Sequence, residues 1–402
     1  MESICTHLKI GSPCRIGTKI YFCNITFNGV FYLDLKDYSI HFVHKFSFEP
    51  VHAARLSKNA SLAYGHTIYF FPNYTDVILE YDILKGQEKA IPIPDFPGKF
   101  VDISGIARRG DKVYLFPTEI GKGIYQFDLQ KQRVEKDMAL SSLFCRDFLC
   151  SSGHILYDGK DCAWIGRYGG SQIVKVNLAE KQIEDNKVLE GIRIFVMCFD
   201  GNHHWILPME STDIYEWDME KDDLQIYTNE HIEWRKVDHI GRTPYSNLIF
   251  LEDEILVLNC YAKNIWRIDK QKKTIGDPLE FPEGFGLANR QFNGWPVYAQ
   301  YTMLEDKVLL YPYAGNMLLI YDKNTKKMSG RNLTVSEEDV PYLREALRKN
   351  LTENRQCFED GDFAPLEKFL DVIEIKRGKG ETWEKGSMGR MIFQKCCGKE
   401  KG

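Results

Sequence analysis

The chain has 402 residues, of which 44% are hydrophobic, 13% aromatic and 27% charged, and its formal net charge at pH 7 is −5. That composition is globular, and the acidic balance argues against a nucleic-acid partner, which calls for a basic excess. No apolar run approaches the ~18 residues of a membrane span, the first residues lack a secretory pattern, and 11 scattered cysteines suit free thiols better than a disulfide framework. The expectation is a cytoplasmic protein with no membrane span.

In chain order, one short phrase recurs. It reads VFYLD up to Asp34, ILEYD up to Asp82, IYQFD up to Asp128, IVKVN up to Asn177, IYEWD up to Asp218, IWRID up to Asp269 and LLIYD up to Asp322. Successive copies lie 48, 46, 49, 41, 51 and 53 residues apart. Such even spacing marks a repeat array.

Residues 101–139 show what one unit contains. VDISGIAR reads as a first strand, KVYLF as a second, IYQFDL as a third and RVEKDMA as a more polar fourth, with turn residues between them. The second strands of the series are KIYFC, TIYFF, KVYLF, CAWIG, HWIL, EILVLN and KVLLY. Pro72, Pro117, Pro208 and Pro312 follow four of them, where a residue without an N–H ends pairing. Second and third strands are apolar on both faces and fourth strands are mixed, as inner and edge strands should be. Seven four-stranded antiparallel units of this size predict an all-β, seven-bladed β-propeller. The Asp that closes each third strand reads as a turn former, because its carboxylate can accept from nearby backbone N–H groups.

The VYLF…IYQFDL rhythm resembles degenerate kelch repeats over roughly residues 5–335. Only Gly169 and Gly170 supply the Gly-Gly pair that kelch units carry after the second strand. The resemblance implies the propeller fold and carries no functional residue over.

The pattern stops near Leu333. SEEDVPYLREALRKNL then predicts a helix over 336–351, with Ser336 and Asp339 as a capping pair, Pro341 in the first turn and Val340, Leu343, Leu347 and Leu351 on one face. FAPLEKFLDVI reads as a second short helix, and residues 374–402 as loosely ordered. The expected division is a propeller over 1–335 and a helical, partly flexible tail over 336–402.

No catalytic signature is present, so catalytic residues are left unassigned and no cofactor is implied. Cys145 and Cys150 are not at a common zinc spacing. The adjacent His203 and His204 must point to opposite faces of a strand, so no metal set is expected. The station that recurs is the channel mouth, built by loops between second and third strands and by segments joining one blade to the next. The joining segments hold Arg55, Lys99, Arg146, Arg193, Arg242 and Arg290, with His7 in the first. The loops add Asn73, Tyr74, Glu119, Arg167, Tyr168, Glu210, Tyr261 and Tyr313, and the long last connection adds Asn293 and Tyr298. Cations at equivalent stations predict a positive mouth for an anionic ligand, unless Asp102, Asp147 and Asp238 neutralise them. Asn and aromatic side chains suit a sugar or a peptide. The reading is a binding or scaffold propeller for a partner peptide or a small anionic or sugar ligand. The alternative is an enzyme of the same fold, with Glu119 and Glu210 as an acid/base pair.

Overall fold

The computed structural model describes residues 10–24, 29–47, 60–94, 101–150, 153, 155–229, 244–260, 264–285, 298–312, 316–335 and 338–339. Two compact units divide the chain at 361/362, and every described residue belongs to the first. The helices expected after 335 lie outside the described residues.

Seven antiparallel four-stranded blades follow one another, spanning 10–45, 61–92, 101–137, 155–188, 194–228, 245–280 and 298–332. In each blade the four strands pair in chain order. First strands meet around the centre: that of blade one touches those of blades two and seven, and the series continues from blade three through blade seven. A short strand, Asn73–Thr75, in the mouth loop of blade two pairs with the first strand of blade three and links the two blades. Second strands are buried along nearly their whole length, as in Glu254–Asn259, and third strands range from almost fully buried in Met317–Asp322 to mostly half-buried in Asp213–Asp218. Fourth strands such as Gln182–Val188 and Lys327–Asn332 alternate with solvent or face it. The core therefore consists of apolar layers between successive blades. One layer is Val196, Trp205, Leu207 and Tyr227 of blade five against Ile255, Val257, Trp266 and Ile268 of blade six.

The third strands end at Asp34, Asp82, Asp128, Asn177, Asp218, Asp269 and Asp322, the residues read from the sequence. Six of these side chains accept from the backbone N–H groups two and three residues on. The pairs run from Leu84 and Lys85 in blade two to Asn324 and Thr325 in blade seven. Asp34 accepts from Lys36 at 2.9 Å. The fifth residue of every turn is left-handed: Tyr38, Gly86, Gln132, Lys181, Asp222, Lys273 and Lys326, with φ between 51° and 64°. That conformation aims several of these side chains at the blade before. Gln132 donates to Glu80, Lys181 pairs with Asp137, and Lys326 pairs with Asp253. A glycine could hold the turn but could not make the tether.

The ring closes by apolar packing and one added rung. Residues leaving blade seven run beside the outer strand of blade one. Ile40 N–H donates to Thr334 O at 3.2 Å, and Ile40 forms a parallel bridge with Val335. Leu333 and Val335 sit in the seam with Ile20, Phe31, Leu33, Tyr311 and Ile320. Asp339, expected as a helix-capping partner, accepts from the backbone N–H of Phe42 at 3.0 Å.

Candidate functional site

The best-described part of the mouth belongs to blades three to five. The connection from blade three begins with a single helical turn, Met138–Ser141, capped by Asp137, whose side chain accepts from Leu140 N–H at 3.1 Å. The fourth strand predicted over RVEKDMA therefore stops two residues early, at Asp137. Beyond it, residues 144–150 lie across the loops of two blades. Cys150 N–H donates to Thr118 O of blade three at 2.8 Å, and Tyr168 N–H of blade four donates to Leu149 O at 2.8 Å. Phe144, Phe148 and Cys150 are buried beneath, and burial pushes the Cys150 thiol up to about 12. The segment fits because Gly121, in the turn Ile120–Lys122, has no side chain. A Cβ there would stand 2.2 Å from Cys145 O and 2.5 Å from Arg146 Cα.

This arrangement sets out a surface of mixed character. Tyr168 and Leu149 are 37% and 39% exposed on loops joined by that backbone hydrogen bond. Arg167 Nη2 lies 2.7 Å from Asp147 Oδ2, and its guanidinium sits over the Phe148 ring at 5.9 Å. The Cys145 thiol, neighbouring backbone and Arg167 together hold the Asp147 carboxyl below the usual range. Arg193 donates to Gly169 O at 3.2 Å and lies 3.4 Å from Glu210, a residue in the left-handed region with φ 61°. Glu119 forms an ion pair with Lys122 at 2.6 Å.

Of the cations predicted on the joining segments, Arg146 and Arg193 are among the described residues, and both are exposed. Arg55, Lys99, Arg242 and Arg290, with His7, Asp238, Asn293, Tyr261 and Tyr313, lie outside them. Tyr74 is described only as backbone of the strand Asn73–Thr75. Asp147 pairs with Arg167 of the blade-four loop rather than with its neighbour Arg146. Glu119 and Glu210 each face a cation of their own. Tyr298 corrects the reading of the last connection. It is 1% exposed, packs against Phe281 and Phe285, and donates to Met317 O at 2.7 Å. It opens the first strand of blade seven, where Ile10, Ile194 and Tyr245 open theirs, and that station is core. Alignment of the repeats by first strand gives the signal that the loop composition hid. The sequence reading also missed Lys122 and Leu149, which become site residues only when the connection folds across two blades.

The adjacent histidines part as strand alternation requires. His204 turns inward against Trp164 and Phe199, with its ring centroid 4.7 and 4.8 Å from theirs. His203 turns to the opposite face.

No family model matches the sequence, and no curated protein matches it. Solved structures do. A streptogramin B lyase matches at 14% identity with a TM-score of 0.55, over 78% of this chain and 95% of its own. An inactive virginiamycin B lyase from Staphylococcus aureus with quinupristin matches at 12% identity with a TM-score of 0.54, over 78% and 94%. The computationally designed protein Ika8 matches at 12% identity with a TM-score of 0.53, over 83% and 91%. At these identities the likeness is one of fold: the chain is a seven-bladed β-propeller. Among the described residues no helix is long and apolar enough to cross a membrane.

Proposed function

We propose that this chain is a binding propeller whose mouth, over blades three to five, takes a segment of a partner polypeptide. The observation that carries the reading is the pair Tyr168 and Leu149, exposed side by side and flanked by Arg167–Asp147 and Arg193–Glu210. Aromatic and Arg groups around a small apolar centre are the chemistry of protein contact surfaces. Charge pairs suit a chain that brings both signs and backbone amides, whereas a small anion would meet the Asp147 and Glu210 carboxylates beside these two guanidinium groups. A cytoplasmic setting belongs to the same reading, since seven described cysteines are free thiols.

Selection from a displayed peptide library tests the idea. Peptides enriched on the wild type should lose about 5–30-fold in affinity with Tyr168→Ala or Arg193→Ala, equivalent to roughly 1–2 kcal/mol. Unchanged affinity in both variants would refute the site. Nucleotide-sugars or sugar phosphates that raise the melting temperature, with no peptide enriched, would favour the small-ligand reading instead.

A further inference from the structure

A second constellation lies on blade five, at the end of the strands away from the mouth. Its members come from one turn and one strand. Asp200 and His203 belong to the turn between the strands Ile194–Phe199 and His204–Pro208. Glu216 and Asp218 lie on the strand Asp213–Asp218. Antiparallel register sets Trp205 opposite Glu216, so His203, Glu216 and Asp218 share one face of the blade. His203 Nδ1 lies 2.9 Å from Glu216 Oε1 and 4.0 Å from Asp200 Oδ2, and the three ligand atoms fall within 4.8 Å of one another. They line a cavity of about 220 Å³ between blades five and six, whose far wall holds Ile255, Ile268, Lys270 and Lys273.

Both carboxylates are oriented from behind. Asp200 Oδ1 accepts from Asn202 and His203 N–H at 2.8 Å each, and Oδ2 accepts from Trp205 Nε1–H at 2.9 Å. Burial pushes the Asp200 carboxyl up, but these hydrogen bonds outweigh it and leave it below the usual range. Glu216 Oε2 accepts from the Tyr227 hydroxyl at 2.6 Å, which leaves Oε1 for the imidazole side. The other ring nitrogen, Nε2, faces Asp218 Oδ2 at 4.0 Å. A metal-binding histidine usually turns its other ring nitrogen to a carboxylate, carbonyl or water; here Asp218, which pairs with Lys221 Nζ at 2.7 Å, lies on that side beyond hydrogen-bond distance.

We propose that Asp200, His203 and Glu216 form a site for a first-row divalent cation, with Zn²⁺ as the reference ion. One imidazole nitrogen and two carboxylate oxygens match its ligand preference, and three protein ligands leave a position open towards the cavity. Ligand distances of about 2.0–2.2 Å require the Asp200 and His203 atoms to close by somewhat under 1 Å. The two carboxylates supply the charge that offsets the ion. Lys270 and Lys273 on the facing wall would favour an anion or hydroxide at the open position.

The test uses the full chain, stripped with chelator, desalted and titrated with ZnCl₂ by calorimetry. The wild type should bind one ion that His203→Ala and Glu216→Gln do not bind. Co²⁺ in the wild type should give ligand-field bands without thiolate charge-transfer absorption, which separates this site from the cysteines. Circular dichroism melts show which variants fold, and the near-isosteric Glu216→Gln decides if His203→Ala does not. No binding by the wild type would overturn the proposal. So would unchanged binding in Glu216→Gln or a thiolate-dominated Co²⁺ spectrum.

Discussion

Gly121→Ala is the sharpest probe of how the mouth is assembled. The added methyl would meet Cys145 O at 2.2 Å, Arg146 Cα at 2.5 Å and Arg146 C at 2.8 Å. These are backbone atoms of a segment held on both sides. Phe148 N–H donates to Cys145 O at 3.1 Å, Cys150 N–H donates to Thr118 O at 2.8 Å, and Phe144 and Phe148 are buried below. No side chain can swing aside, so the segment itself must move. Such overpacking costs about 1–3 kcal/mol. A body of ~330 residues unfolds with an entropy near 0.7 kcal/mol/K, so the melting temperature should fall by about 1.5–4 °C. The control is Gly276→Ala in an outer strand, where the nearest atom lies 3.9 Å away and the change should stay within about 0.5 kcal/mol. Paired thermal melts decide the matter. The displaced segment carries Asp147 and Leu149, so Gly121→Ala should also lose the peptides selected on the wild type while still folded at 25 °C. Equal melting temperatures for the two variants, with peptide binding retained, would refute the reasoning.

Leu333→Ala should cost about 2–5 kcal/mol, because Leu333 is 1% exposed in the seam between blades seven and one. Leu84→Ala, at 71% exposure, should leave the melt unchanged, and equal effects would mean that the seam does not close the ring. His204 gives a pH dependence with a definite sign. Burial lowers its pKa from 6.5 to about 4, so the unfolded chain binds the extra proton between those values. Its contribution is full above pH 6.5 and lost as the pH falls through about 4. Between pH 7 and pH 5 the wild type should lose about 2 kcal/mol more than His204→Phe in denaturant titrations. Parallel losses in the two proteins would exclude the histidine as the cause.

The sequence by itself determined the blade count, the strand order and the residue that ends each third strand. Those features are local and repeated. An Asp that bonds the next N–H groups, an apolar run covered on both faces and a polar edge strand each need only a few neighbouring residues, and seven copies average out the exceptions. Sequence pattern also separated His203 from His204, since strand alternation alone puts them on opposite faces. Tertiary structure decided the rest. Tyr298 passed for a rim residue until its first strand joined the core. Arg167 found Asp147, 20 residues away, only when the connection from blade three folded over Gly121. Asp200, His203 and Glu216 look unrelated along the chain. The pairing of Trp205 with Glu216 brings them within 4.8 Å. A repeat fixes its own strands through short-range hydrogen bonds and burial pattern. Which side chains meet across blades depends on the length and path of connections that differ at every junction, and no local rule records them.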